Sequence, residues 1–221
     1  MVNDSTSRYD QKLVFVLKTS AAIFAEKGYH STSIRDISRA TQMSLSGLYY
    51  YFSSKEELLY LIQDYCFSTV IEDCRKLLDG IEDPVHRLKL LIENHLNYFV
   101  NNMNEMKVLS HEANSITGDY FKKVNSKKRH YVDLLAATLT EIGREHKVEG
   151  LDIRVATFSL FGMMNWIYNW YNPRKDIDVS SLSQNITRLF LSGFLGDKNK
   201  TQMTETGRES HLERNVSVWQ Q

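Results

Sequence analysis

Cysteine and proline are scarce in this chain, and neither sign of charge is in excess. The two cysteines, Cys66 and Cys74, have no Cys-x-x-Cys spacing, so we expect reduced thiols in the core or at its boundary and neither a disulfide nor a redox pair. The only prolines, Pro84 and Pro173, leave long stretches free to form helices. Lys and Arg together number 27, as do Asp and Glu, so composition gives no support for binding to nucleic acid. Any such function must rest on local geometry.

Long apolar runs are absent as well. No segment approaches the ~18 apolar residues of a membrane span, and the polar start of the chain lacks the apolar stretch of a signal peptide. We therefore expect a cytoplasmic protein that does not bind a membrane. Hydrophobic residues make up 42% of the chain, which is enough for a core and argues against global disorder.

The spacing of apolar residues predicts an all-α fold of about nine helices. A three-to-four spacing runs from Leu13 until Gly28, which acts as a helix stop. Capping-box patterns at residues 33–36 and 54–57 predict two further helix starts. A short helix is predicted between them, at about 44–51, and the helix that begins at Ser54 is predicted to reach Leu78. Later helices are predicted from Pro84 through Phe99 and at about 104–114, 118–146, 152–171 and 179–195.

The change from short to long helices after Gly80 predicts a small N-terminal head and a larger body. We expect a three-helix head at residues 1–55, a helical ligand-binding and dimerisation domain at 56–196, and a polar tail at 197–221. The boundary falls within a long helix near residues 55–80, so we expect no flexible linker. The tail has few apolar anchors, which leaves its structure and role open.

Two short helices around a tight turn, flanked by longer helices, are typical of a helix-turn-helix head. The segments GY at 28–29, SIRDIS at 33–38, SLSGLYYYF at 44–52 and SKEEL at 54–58 resemble the TetR family of repressors. The resemblance covers about residues 10–60, and the body resembles the family only in its layout of long helices. It implies a ligand-responsive transcription regulator, in the first instance a repressor, that binds palindromic double-stranded operator DNA as a homodimer.

The chemistry of the head is consistent with this resemblance. Small residues at the start of the second short helix permit close approach to a DNA groove, and the helix that follows Ser33 has an N-terminus that favours a phosphate. Each serine would also cap a helix in any protein, and tyrosines often only pack, so the prediction depends on their conjunction. The residues that we predict to contact DNA are Ser33, Arg35, Ser44, Leu45, Ser46, Gly47, Tyr49, Tyr50, Tyr51 and Lys55.

Two positions depart from the family pattern. Gln42 stands where the family usually has glycine, and a left-handed backbone at this position would cost a glutamine roughly 1 kcal/mol. Leu45 stands where a basic or polar residue is common, and we expect it to contact a thymine methyl group. The operator sequence therefore cannot be transferred from the family.

Residues 158–171 are apolar nearly all round, which predicts burial on more than one face. The segment LFGMMNWIYNWY at 160–171 resembles the corresponding helix in TetR-type regulators of fatty-acid and sterol degradation, which implies an acyl-CoA as the small hydrophobic effector. Core or dimer-interface packing is the simpler interpretation for any single aromatic residue, and a lipophilic drug under efflux control is the alternative effector. The residues that we predict to bind the effector are Asn94, His95, Tyr98, Phe99, Asn102, Phe158, Met163, Trp166 and Trp170.

Other classes of protein find little support. The basic run at residues 122–129 is interpreted as a solvated helix face in preference to a phosphate site. The chain has no Gly-rich phosphate loop, Gly-x-Ser-x-Gly or Cys/His metal spacing, so we expect no enzyme activity, no cofactor and no metal. A helical adaptor remains as an alternative, but it would not need a small-residue recognition helix followed by Lys55.

Overall fold

The computed structural model describes residues 8–196, which form nine α-helices and one 3-10 helix without any strand. The helices are α1 (Arg8–Lys27), α2 (Ile34–Thr41), α3 (Leu45–Tyr49), α4 (Lys55–Leu78), α5 (Pro84–Asn101), α6 (Met103–His111), α7 (Gly118–His146), α8 (Ile153–Asn165) and α9 (Val179–Phe194), with the 3-10 helix at Trp166–Asn169. The prediction of an all-α fold with nine helices is confirmed. The predicted tail, 197–221, lies outside the described residues.

The head is formed by α1, α2, α3 and the start of α4. Its core is completed by one inward side chain from each short helix, Ile37 on α2 and Leu48 on α3, both fully buried. Phe24 on α1 and Phe52 after α3 are also buried in this cluster. Because α2 and α3 are too short to be stable alone, their positions depend on this shared core.

The body is organised around α5, which packs against α4, α6, α7, α8 and α9. Leu88, Ile92 and Leu96 on α5 are fully buried, as a helix surrounded on several sides requires. Helix α4 runs unbroken from the head into the body, and it packs against α1 as well as against α5 and α7. The two parts are therefore joined through a continuous helix, and the exact domain boundary at 55/56 stays a prediction.

The two cysteines lie inside the body. Cys66 and Cys74 are both free and buried, as predicted for reduced core thiols. Burial raises the pKa of the Cys66 thiol to about 12 and that of the Cys74 thiol to about 11, so neither is ionised near neutral pH. No helix within residues 8–196 is long and apolar enough to cross a membrane.

The aromatic segment differs from the predicted helix at 152–171. Helix α8 ends at Asn165, and the chain then tightens into the 3-10 helix, which is a common way for a helix to end. Within this tighter turn Ile167 is fully buried, whereas Trp166 and Trp170 are 55% and 54% exposed. The single chain therefore leaves part of this segment exposed, and its burial on a second face, which a dimer interface would supply, stays a prediction.

The two predicted capping boxes have different outcomes. The Ser33 hydroxyl accepts from the Asp36 N–H, and the Asp36 carboxylate accepts from the Ser33 N–H at 2.9 Å, so the first box is complete. At the second, the Ser54 hydroxyl accepts from the Glu57 N–H, but the Glu57 carboxylate accepts from the N–H and hydroxyl of Ser53. These bonds lower the pKa of Glu57, and the helix start at α4 is correct although the reciprocal bond falls one residue earlier.

The turn between α2 and α3 contains a non-glycine residue in the left-handed region. Gln42 has φ 56° and ψ 29°, and its N–H donates to the carbonyls of Ser38 and Arg39. The left-handed backbone that the family pattern suggested at this position is thus present. It is strained for any residue that carries a Cβ.

Replacing Gln42 with glycine is expected to raise the free energy of unfolding by about 0.5–1 kcal/mol. The strain energy that is relieved in the folded chain exceeds the entropic stabilisation that glycine gives to the unfolded chain. Urea unfolding followed by circular dichroism measures the change. The matched control is Arg129→Gly, at an exposed position inside α7, which should lower the free energy of unfolding by about 1 kcal/mol. Equal losses in both variants would contradict the strain at Gln42.

Candidate functional site

The predicted DNA contacts lie on the turn before α2, on α3 and at the start of α4. Ser33 is the N-cap of α2, and Arg35 in the first turn is exposed. The two hydrogen bonds from Ser33 lower the pKa of Asp36, which also pairs with Arg39 at 2.6 Å. The N-terminus of α2 is thus fixed by local bonds, and Arg35 is left facing solvent.

Helix α3 presents most of its surface to solvent. Leu45, Tyr49 and Tyr50 are 38%, 52% and 73% exposed, and Ser44 and Ser46 are exposed as well. Tyr51 differs from these, because it is half-buried and packs against the core. Exposed aromatic and aliphatic side chains on a short helix are unusual in a free surface, and they give α3 a face that can contact another molecule.

Gly47 permits the cap that starts α3. The Ser44 hydroxyl accepts from the Gly47 N–H at 3.1 Å and lies 3.1 Å from the Ser46 hydroxyl. A Cβ at position 47 would stand only 3.1 Å from the same Ser44 oxygen. The small residue is therefore consistent with the cap, and its close approach to a DNA groove stays a prediction.

Lys55 is held by the head itself. Its ammonium donates to the carbonyls of Tyr29, His30 and Thr32 at 3.0, 3.3 and 3.0 Å, and it lies 4.6 Å from the centre of the Tyr29 ring. An ammonium has three protons, so these three carbonyls use all of its donors. The lysine ties the start of α4 to the segment before α2, and its contact with a DNA phosphate stays a prediction.

Replacing Lys55 with methionine is expected to lower the free energy of unfolding by about 1–3 kcal/mol, because three carbonyls lose a charged donor. Chemical denaturation of the full chain gives this value. Lys76→Met on the same helix is the control, since the Lys76 side chain is 67% exposed and should change stability by less than about 0.5 kcal/mol. A loss no larger than that of the control would show that the three carbonyls do not need Lys55.

The body contains a cavity of about 330 Å³ with mainly apolar walls, between α4, α5, α6, α7 and α8. This volume lies at the lower end of the range for small-molecule sites. Ser110 and Phe158 are exposed, which places the opening of the cavity on their side. The residues that line it are Phe67, His95, Phe99, Met106, Leu109, Ser110, Ala113, Lys128, Tyr131, Val132, Phe158, Phe161 and Asn165.

The structure brings together three of the nine predicted effector residues. His95, Phe99 and Phe158 line the cavity. Asn94 instead donates to the carbonyl of Val70 and to Cys74 Sγ, so its amide is used inside the core. The remaining five also lie outside the cavity wall: Tyr98, Asn102, Met163, Trp166 and Trp170.

Most of the cavity wall was missed by sequence reasoning. Phe161 and Asn165 belong to the aromatic segment at residues 158–171. Which residues of this segment face the cavity depends on where α8 ends, and the sequence did not give that position. The contributions of α6 and α7, such as Met106 and Tyr131, carried no signal because ordinary apolar residues at helical spacing look like core. Met106 and Tyr131 become cavity residues only because of the way in which five helices pack around them.

His95 forms a buried polar chain at the cavity wall. Its Nδ1 lies 3.0 Å from the Tyr131 hydroxyl, and its Nε2 lies 3.1 Å from Asn165 Oδ1. With Oδ1 facing it, Nε2 carries the proton and donates, while Nδ1 accepts from Tyr131. Burial lowers the pKa of His95 to about 3, so the ring is neutral. It is both a satisfied core histidine and a wall residue.

The free energy of unfolding is expected to fall in acid because of His95. Its pKa lies below the unfolded value of about 6.5, so the unfolded chain binds the extra proton and stability is lost as pH falls from about 6.5 toward 3. Between pH 7 and pH 5 this residue should remove about 2 kcal/mol. Urea unfolding at both pH values should give a smaller loss for His95→Gln, and an equal loss in both proteins would contradict the neutral ring.

The basic run on α7 does not form one solvated face. Lys122, Lys123 and Arg129 are exposed, as predicted. Lys127, however, donates to Asp64 at 2.5 Å and to the Ser68 hydroxyl at 2.6 Å, which ties α7 to α4. Lys128 lines the cavity, so the interpretation of this run as solvated was wrong for two of its members. The charge pattern alone could not show that Lys127 and Lys128 face neighbouring helices.

Helix α6 connects the cavity to the head. Met106 and Leu109 line the cavity, while α6 also packs against α1. Just beyond its end, the Glu112 carbonyl accepts from Gln63 of α4 at 3.2 Å. Helix α6 and the residue that follows it are therefore in contact with the cavity, with α1 and with α4. No three His, Cys, Asp or Glu in residues 8–196 come together as a metal site requires.

Two family models match separate parts of the chain. The model described as bacterial regulatory proteins, tetR family, matches residues 16–60, which hold the α2–α3 unit. The model described as tetracyclin repressor-like, C-terminal domain, matches residues 82–194, which hold most of the cavity. Together they cover the head and the body.

Individual relatives match along most of their length. The curated Fatty acid metabolism regulator protein of Bacillus subtilis strain 168 is 24% identical over 184 residues, which cover 82% of this chain and 95% of that protein. The solved structure of AibR in complex with isovaleryl coenzyme A and operator DNA is 26% identical, with a TM-score of 0.73, and the match covers 80% of this chain and 97% of AibR. A TetR-family regulator from Bordetella parapertussis 12822 is 28% identical, with a TM-score of 0.76 and coverage of 85% and 97%.

Proposed function

This chain belongs to the TetR family of bacterial regulatory proteins, and on that premise we propose that it is a cytoplasmic repressor controlled by an acyl-CoA. It binds palindromic operator DNA as a homodimer, and an acyl group that enters the body cavity releases it. The proposal assigns no catalytic step to the chain. The observation that carries it is the apolar cavity whose wall includes α6, the helix that also packs against the head.

The exposed face of α3 supports the DNA-binding part of the proposal. Ser44, Leu45, Ser46 and Tyr49 form a solvent-facing set that suits the major groove, where small residues allow close approach and Leu45 meets a thymine methyl. Arg35 adds a charged contact to the phosphate backbone. The relative AibR was solved with operator DNA, which agrees with this assignment.

Exposed apolar side chains on the last helices support the homodimer. Val155 on α8 and Leu189 on α9 are 59% and 65% exposed in the single chain. Apolar groups of this size are normally covered, and a symmetric contact through residues 152–195 would bury them in both copies. Two heads in one dimer then read successive major grooves about 34–36 Å apart.

The walls of the cavity support an acyl chain as the effector. Phe99, Met106, Leu109 and Phe161 give an apolar surface, and methionine adapts its shape to a flexible chain. A cavity of about 330 Å³ is in the range of small-molecule sites. Among the relatives, one is named for fatty acid metabolism and AibR was solved with isovaleryl coenzyme A.

Coupling to the head follows from the contacts of α6 and α4. Filling the cavity presses on Met106 and Leu109, and α6 passes the displacement to α1 and, through Glu112 and Gln63, to α4. A second bond, from the Thr117 N–H to the Glu56 carboxylate at 2.8 Å, joins the start of α7 to the first turn of α4. A shift of α4 changes the spacing of the two heads, which weakens operator binding.

Operator binding in the presence of acyl-CoA tests the proposal. Fluorescence anisotropy should show a salt-sensitive, sequence-specific complex between the full chain and DNA from its own promoter region. Decanoyl-CoA is expected to weaken this complex at least tenfold, whereas free CoA should not. Absence of any specific complex would contradict the regulator. A complex that responds to lipophilic drugs and not to decanoyl-CoA would favour control of efflux.

Matched variants separate effector binding from DNA binding. Ala113→Trp places a large ring in the cavity wall, so operator binding should persist while the response to decanoyl-CoA is lost. Ser126→Trp adds the same ring at an exposed position of α7 and should respond like the unmodified chain. An Ala113→Trp protein with a full response would remove the cavity from the mechanism.

A further inference from the structure

Lys128 is the one charged side chain in the cavity wall as the structure describes it. Its ammonium lies 5.9 Å from the centre of the Phe67 ring and has no carboxylate partner within 4 Å among residues 8–196. The neighbouring Lys127 is different, since it pairs with Asp64 and Ser68. Two adjacent lysines therefore have different surroundings, and only Lys127 has a carboxylate partner.

An unpaired cation in a largely apolar wall is unfavourable for the protein alone. The Lys128 side chain is half-buried, and burial lowers its pKa because water is partly removed from the charged form. A negative group beside this partly desolvated ammonium would offset the cost of its lost hydration, so the position favours an anion. The other polar groups of the wall do not supply it, because Tyr131 and His95 bond to each other and are neutral.

We propose that Lys128 binds the negatively charged group of the effector, so that the cavity takes an apolar anion and not a neutral lipophile. The apolar tail lies among Phe99, Met106 and Leu109, and the anionic group lies beside Lys128. This inference rests on the proposed function insofar as it takes the cavity as the effector site. It adds a charge requirement that the shape and polarity of the cavity alone do not impose.

Two sources supply this chemistry. The negative group is either the carboxylate of a free fatty acid or a phosphate of an acyl-CoA whose remaining part lies outside the cavity. Both form charge-assisted hydrogen bonds with an ammonium. The opening beside Ser110 and Phe158 gives a phosphate a route to the same residue.

Calorimetric titration of the full chain without DNA distinguishes these sources. The ligands are decanoate, decanoyl-CoA and S-decanoyl-pantetheine, which is a neutral thioester without phosphates. If Lys128 binds a phosphate, Lys128→Met is expected to lower the affinity for decanoyl-CoA about tenfold. If Lys128 binds a carboxylate, the same variant is expected to lower the affinity for decanoate about tenfold. The affinity for S-decanoyl-pantetheine should stay within twofold of the unmodified chain.

Three controls separate ligand binding from folding. Lys128→Arg keeps the charge and should restore most of the affinity, while Lys123→Met removes an exposed charge from the same helix and should change nothing. Without ligand, Lys128→Met should melt at the same or a higher temperature, because a partly desolvated charge is removed.

The proposal is overturned if Lys128→Met binds all three ligands as the unmodified chain does or loses affinity for all three equally. It is also overturned if the unmodified chain binds neither anion more tightly than the neutral thioester. Failure of the proposed function is a separate result: an anion bound through Lys128 that leaves the operator complex intact.

Discussion

Helix α6 packs on α1 of the head with one side and forms a wall of the cavity with the other. It has nine residues, which is too few for a helix to be stable in water without tertiary packing. Val108 is buried where α6 meets the head, and Met106 is buried where it meets the cavity. The position of α6 is therefore set by its two neighbours, and neither can change without affecting the other. The rest of the body is centred on α5, which packs against α6 as well.

Local signals explain how much of the fold could be predicted from the sequence. The start of α2 follows from Ser33 and Asp36, which bond to each other across a single turn, and the start of α4 follows in the same way from Ser54. The left-handed backbone at Gln42 was suggested by the resemblance, because the family usually has glycine at this position of the turn. Each of these features depends on residues within about four positions of one another, so no knowledge of packing is needed.

The cavity could be predicted only in part, because it depends on how distant helices meet. Phe158 and Phe161 face it, but Trp166 and Trp170, which looked more distinctive in the sequence, follow the end of α8 and face solvent. Lys128 belonged to a run that appeared to be a uniform charged face. Its burial follows from the packing of α7 against α4, and a difference of one residue separates it from Lys127, which pairs with Asp64.

The exposed face of α3 has a consequence for how such a molecule diversifies. Only Leu48 of this helix is fully buried, whereas Leu45, Ser46 and Tyr49 contribute little to the core. The cavity residues lie between Phe67 and Asn165, well beyond α3, so none is shared between the two surfaces. The exposed residues of α3 can thus change, in evolution or in the design of a biosensor, without a change in the cavity. The cavity residues can likewise change without a change in α3.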